Sequence, residues 1–178
     1  VTLVGIVLAD LSLFLPDFRS AERTFQLLTQ VAGRAGRGTV PGDVYIQTYA
    51  PNNPAIQYAV RNDYDGFFQE EFEIRKKFGY PPCLRMAIVH FKGPDSLLVA
   101  KFADEFLEAL RPFIPAGMLV SGPSPSPLEK VKNYYRYMIM LRGQLTAEFR
   151  SYLKDRIIRQ KRPKDVYVYT DIDPLNLM

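Results

Sequence analysis

One cysteine, Cys83, leaves the chain with no internal disulfide, and one histidine, His90, leaves no cluster from which a zinc site or a Cys/His or Ser/His/Asp catalytic set can be assembled. Long apolar runs are scarce as well. The longest nearly apolar stretch, residues 1–9, is about half the ~20 residues a helical membrane span requires. It has neither a basic leader nor a small-residue cleavage site, so it does not read as a secretory signal. These absences predict a reducing, cytoplasmic setting with no membrane partner.

Apolar and aromatic mass is present in quantity. Of the 178 residues 47% are hydrophobic and 24% charged, with 11 Tyr and 12 Phe. That excludes general disorder and supplies one core of ordinary size or two small ones. Residues 1–9 end at Asp10 and have the near-continuous apolarity of a parallel strand buried on both faces. Because the sequence begins inside such a strand, it is expected to be a fragment of a longer protein.

Hydrophobic spacing then predicts a loop over 11–18 and a helix from a cap at Asp17 or Ser20 to about residue 32. Ala21, Phe25, Leu28 and Val31 share one face of it. Glycines 33, 36 and 38 stop this helix. A strand is expected over 43–49, helices over 55–61 and 64–78, and a boundary at Pro81-Pro82. Beyond it come a strand (84–91), a helix (95–110), a strand (118–121), a proline-rich loop (122–127), a strand (134–141), a helix (145–159) and a strand (166–170). The order βαββαβ predicts a ferredoxin-like α+β unit, an antiparallel sheet with both helices on one face.

Charge is concentrated rather than spread. Residues 129–164 hold 11 Lys or Arg against 3 Asp or Glu, a net +8, which leaves −4 for the rest of a chain whose total is +4. Lys130, Lys132, Arg136 and Arg142 occur around a strand bearing Tyr134, Tyr135 and Tyr137, and Lys161 and Arg162 follow the last helix. Basic side chains neutralise phosphates and exposed rings stack on unpaired bases, so these residues are candidates for binding DNA of mixed single- and double-stranded character. Ordinary core tyrosines beside a solvated basic face would give the same composition. Alternation places Tyr135, Tyr137, Ile139 and Leu141 on the core side and Arg136 beside Tyr134 on the other. His90, within an apolar strand, reads as a packed core residue, Cys83 as a small hydrophobe, and Glu70, Glu71 and Glu73 as a solvated helix face.

The most specific segment is Gln30-Val31-Ala32-Gly33-Arg34-Ala35-Gly36-Arg37. Arginines three apart, spaced by glycines at a helix end, form either a tight exposed turn or a pair of guanidinium forks suited to phosphate oxygens. The segment resembles the sixth motif of superfamily-two helicases. With Pro16-Asp17-Phe18-Arg19-Ser20-Ala21-Glu22-Arg23 before it, the likeness narrows to the primosomal replication-restart helicases of the PriA family. Phe67-Phe68-Gln69-Glu70-Glu71, Arg75, Tyr80-Pro81-Pro82, Gly122-Pro123, Tyr135-Arg136-Tyr137, Arg142-Gly143 and Asp171-Ile172-Asp173-Pro174 continue it over nearly the whole chain.

That resemblance implies the end of a second RecA-like helicase lobe (1–54), a helical connector (55–82) and a C-terminal DNA- and partner-binding domain (83–178). It implies that Arg37 acts as an arginine finger on ATP, with Arg34 and Gln30 coupling nucleotide state to lobe movement and Asp10 on the nucleotide side. A Gly-x-x-x-x-Gly-Lys-Ser/Thr loop is missing, so ATP, magnesium and the family's zinc belong to the full-length protein and hydrolysis by this chain alone is not expected. Implied partners are branched or forked DNA, single-stranded DNA-binding protein and other primosome proteins. Two further readings stay open: a primosome docking module with weak nucleic-acid binding, and an RNA-binding sheet. The lobe remnant, with few strands, is expected to expose edges that favour self-association.

Overall fold

The structure, a computed structural model, describes residues 2–35 and 42–177. The chain divides into two compact units, 1–74 and 75–178.

In the first unit, strands Leu3–Ile6 (β1) and Asp43–Ile46 (β2) pair in parallel, with Leu3 opposite Asp43 and Ile6 opposite Ile46. Helix Ser20–Ala32 (α1) lies between them in sequence, and helix Pro54–Arg61 (α2) follows. Asn53 caps α2 by accepting the Ala55 N–H at 3.0 Å, and proline occupies the first turn, where its missing donor costs nothing. Helix Tyr64–Phe78 (α3) runs from this unit into the second. Ala9, Phe25, Leu28, Ala55, Ile56, Ala59 and Phe67 form the core, with the Phe25 and Phe67 rings stacked at 4.3 Å.

The expected strand buried on both faces is corrected here. β1 alternates between exposed and half-buried positions, and Leu3 and Val7 are exposed. Among the described residues the sheet of this unit has two strands, and the side chains of β1 that read as doubly buried are covered on one side only. The strand also ends at Ile6, because Leu8 turns left-handed (φ 53°) into a short 3-10 turn, Ala9–Ser12.

The second unit is built on strands Arg85–Gly93 (β3), Leu119–Val131 (β4), Tyr134–Gly143 (β5) and Tyr167–Ile172 (β6). They form one antiparallel sheet in the order β4-β5-β3-β6. Helices Ser96–Leu110 (α4) and Ala147–Arg159 (α5) complete a βαββαβ chain order, the split βαβ arrangement. Side-chain oxygens of Asp95 and Thr146 cap these helices by accepting the Leu98 and Phe149 N–H groups.

Ala87, Val89 and Phe91 of β3, with Ile139 and Leu141 of β5, point to one face of the sheet. Val99, Phe102, Phe106 and Leu110 of α4 and Phe149 and Leu153 of α5 join them in one buried cluster, so both helices cover that face. Each fully buried Phe or Leu contributes roughly 1.5–3 kcal/mol. The opposite face carries two kinds of side chain. Met86, Ile88 and Met140 are buried toward one end, while Lys92, Tyr134, Arg136, Tyr167 and Tyr169 gather toward the other.

The proline-rich segment 122–127 is not a loop but lies within β4. β4 is an edge strand, where Pro123, Pro125 and Pro127 need not donate to a neighbour, and its pairing with β5 shifts register between Ser121 and Ser124 and again between Pro125 and Lys130. Gly122 makes the first shift possible: its φ is +98°, and a Cβ there would stand 2.5 Å from the Met138 carbonyl oxygen.

Candidate nucleic-acid interface

Strands β4 and β5 are joined by Lys132 and Asn133, both left-handed (φ 49° and 65°), a tight two-residue hairpin turn. This turn places Val131, Lys132 and Tyr134 at the same end of the sheet as Lys92, which pairs with Arg136 on one side and Tyr167 on the other. Lys92, Val131, Lys132, Tyr134, Arg136 and Tyr169 line a depression of about 350 Å³. It brings together three cations, two phenol rings and no carboxylate.

Neighbouring contacts hold the rings. Tyr169 stacks on His90 with centroids 4.8 Å apart, Tyr134 meets Tyr167 edge-on at 6.2 Å, and the Lys92 ammonium lies over the Tyr167 ring at 5.4 Å. His90 is buried as the sequence suggested. Burial depresses its pKa and the positive charge of Arg136 adds to the effect, while Asp171 opposes it.

The predicted DNA-binding residues separate into three groups. Lys132, Tyr134 and Arg136 meet in the depression. Lys130 lies one register pair away, its ammonium over the Tyr135 ring at 4.7 Å and donating to the Tyr135 hydroxyl at 3.3 Å. Lys161 and Arg162 are exposed in the segment before β6, whose first residue, Tyr167, pairs with Lys92 at this end of the sheet. Arg142 is not brought to the depression. It sits toward the far end of β5, donating to the Phe78 carbonyl at 2.5 Å and the Ser121 hydroxyl at 2.8 Å, with its guanidinium over the Tyr80 ring.

Sequence reasoning missed Lys92 and Tyr169. Each sits alone in an apolar or alternating strand, and only the strand order sets β3 between β5 and β6 and thereby makes them neighbours of Arg136. The available signal was alternation: Lys92 lies two residues beyond His90, out of phase with Val89 and Phe91.

In the first unit Gln30 and Arg34 are exposed at and just beyond the end of α1, and the Arg34 N–H donates to the Val31 carbonyl. Arg37 lies outside the described residues. Asp10 is buried. Its carboxylate accepts hydrogen bonds from the Thr48 hydroxyl and, at 2.6 Å, from the Tyr49 N–H, which holds its pKa below the usual range. It thereby ties the turn after β1 to the end of β2. Among the described residues no three His, Cys, Asp or Glu side chains gather as metal ligands, and no helix is long and apolar enough to cross a membrane.

Similarity to known proteins extends over both units. Residues 76–175 match the family model described as the primosomal protein N C-terminal domain. The chain is 39% identical to the replication restart protein PriA of Bacillus subtilis, aligned over 100% of this chain and 22% of that protein. It is 37% identical to the protein of that name from Synechocystis, over 99% and 21%, and 38% identical to that of Rickettsia conorii, over 97% and 26%. The chain thus spans about a fifth to a quarter of the length of the relatives it matches. With more than half of its residues inside the family model, and that half forming the βαββαβ unit, the chain belongs to the PriA family and carries its C-terminal domain.

Proposed function

We propose that this chain is the C-terminal part of an ATP-dependent helicase of replication restart, and that its ferredoxin-like unit binds branched DNA through the basic, tyrosine-lined end of its sheet. The observation that carries this reading is the meeting of Lys92, Lys132 and Arg136 with Tyr134 and Tyr169 in one depression free of carboxylates. Cations serve the backbone and rings serve unpaired bases, the mixture a forked substrate presents. The relatives' shared name, replication restart protein PriA, supplies the setting.

The parallel β1–β2 pair with α1 between its strands supports a remnant of a RecA-like lobe. Within the longer protein, Arg37 would reach the ATP γ-phosphate, with Arg34 and Gln30 at the end of α1 reporting nucleotide state. Asp10 fits a magnesium or nucleotide ligand poorly, since its carboxylate is already occupied by Thr48 and Tyr49. One cysteine and one histidine do not fit a zinc site either. ATP, magnesium and zinc are therefore assigned to other parts of the longer protein. Cytoplasmic work alongside single-stranded DNA-binding protein and other primosome proteins belongs to the same reading.

The test is binding of the chain to forked, duplex and single-stranded DNA across a salt series, with Lys130, Lys132 and Arg136 replaced by alanine in parallel. Fork-preferring, salt-sensitive binding lost in the triple variant is expected. Absence of binding at moderate salt would instead favour a protein-docking module, and preference for RNA of the same sequence would favour an RNA-binding sheet.

A further inference from the structure

Resting on the DNA-binding reading, we infer that the depression between Lys92, Arg136 and Tyr169 seats one unpaired nucleotide at a DNA branch, rather than serving as a track for duplex backbone. Its volume, about 350 Å³, lies at the small end of the roughly 300–1,000 Å³ typical of sites for small ligands. A base with its sugar and phosphate fits that space. A duplex, whose major groove alone is about 12 Å wide, can only pass over it.

The lining matches both halves of a nucleotide. Lys92, Lys132 and Arg136 offer charge to a phosphate, while Val131, Tyr134 and Tyr169 offer flat and apolar surface to a base. An inorganic anion would make no use of the rings, and an uncharged aromatic ligand would leave three cations unanswered.

Lys92 and Arg136 are direct cross-strand partners on the same face of the sheet. Like charges in that relation destabilise a sheet, and no carboxylate lines the depression to offset them. Asp171, on this face, stands opposite Ile88, four positions along β3 from Lys92. The Tyr167 ring under the Lys92 ammonium offsets part of that cost, and an anion between the two cations removes the rest, so the pair is arranged for a bound phosphate.

The rings are also held in place before anything binds. Tyr169 has one face against buried His90 and is still 42% exposed. Tyr134 is braced by Tyr167. Rings fixed in this way lose little freedom when a base stacks on them.

The test uses the whole chain and two branched DNAs that differ at one position, a 2-aminopurine nucleotide at the branch that is unpaired in one and paired in the other. About tenfold tighter binding of the unpaired form is expected, in the range that stacking one base provides, together with quenching of its fluorescence. Tyr169→Leu should bring the affinity ratio close to one and abolish the quenching, whereas Tyr169→Phe should keep both. Equal affinity of the unaltered chain for the two DNAs, or a ratio that survives Tyr169→Leu, would overturn the nucleotide seat while leaving branched-DNA binding intact. Failure to bind either DNA at low salt would overturn the DNA reading and the seat with it.

Discussion

His90 of β3 and Tyr169 of β6 are register partners whose rings stack with centroids 4.8 Å apart and planes 18° from parallel, so the wall of the basic depression rests on a buried imidazole. Burial and the neighbouring Arg136 charge lower the His90 pKa from its ordinary 6.5, with Asp171 acting the other way. The unfolded chain therefore takes up this proton at higher pH than the folded one. Stability is fully present above about pH 6.5 and falls as pH drops through the folded-state value. His90 is the only histidine, and the lowered carboxylates, Asp10, Asp173 and Glu148, add their losses only below their ordinary values of 3.8, 3.8 and 4.5. Urea midpoints taken between pH 5 and 8 should thus decline on the acid side, and His90→Phe should flatten that decline.

Gly122 and Gly117 make a matched pair for testing the shape of β4. Both have positive φ, +98° and +80°, but an added Cβ meets the Met138 carbonyl oxygen at 2.5 Å at Gly122 and nothing within 4 Å at Gly117. Gly117→Ala should cost about 1 kcal/mol for backbone conformation alone. Gly122→Ala adds a backbone clash and should cost roughly 3 kcal/mol. Equal losses in chemical denaturation would mean that β4 can move away from β5 at its first register shift.

Arg142 should behave as a structural residue. Its guanidinium links the end of α3 to β4 through the Phe78 carbonyl and the Ser121 hydroxyl, and it covers the Tyr80 ring. Partly exposed, charge-assisted bonds of this kind suggest a loss of about 1–2 kcal/mol for Arg142→Ala. A thermal melt should register that loss, and DNA affinity measured well below the melting temperature should change little. The opposite pattern would return Arg142 to the binding surface.

Much of the second unit was legible because its pattern is periodic. Alternation along 134–141 separates Ile139 and Leu141, both buried, from Arg136, and helical spacing identifies Phe102, Phe106 and Leu110 as the inner stripe of α4. Proline density hid β4, since three prolines in five residues suggest a loop unless the strand is known to lie at a sheet edge. Continuous apolarity misled at β1 for the converse reason: it reports what a strand can bury, not which layers are present to cover it. The depression was only half visible, because Lys132, Tyr134 and Arg136 are close in sequence while Lys92 and Tyr169 reach them only through β-sheet order.

The salt dependence of binding can rank the individual cations. Each Lys or Arg that neutralises one phosphate contributes about 0.9 to the slope of log affinity against log salt on duplex DNA, and about 0.7 on single strands. Lys92→Ala, Lys132→Ala and Arg136→Ala should each lower the slope by about 0.7–0.9, with values near 0.7 marking contacts to the unpaired strand. Lys130→Ala should do less, because its register position faces the core side of the sheet, away from the depression, and its ammonium donates to the Tyr135 hydroxyl. A slope unchanged by Lys92→Ala but lowered by Lys161→Ala or Arg162→Ala would move the phosphate contacts off the sheet face and onto the segment before β6. That outcome would make the like-charged Lys92–Arg136 pair a cost to the fold that no phosphate relieves, so Lys92→Ala would then be expected to raise stability without weakening binding.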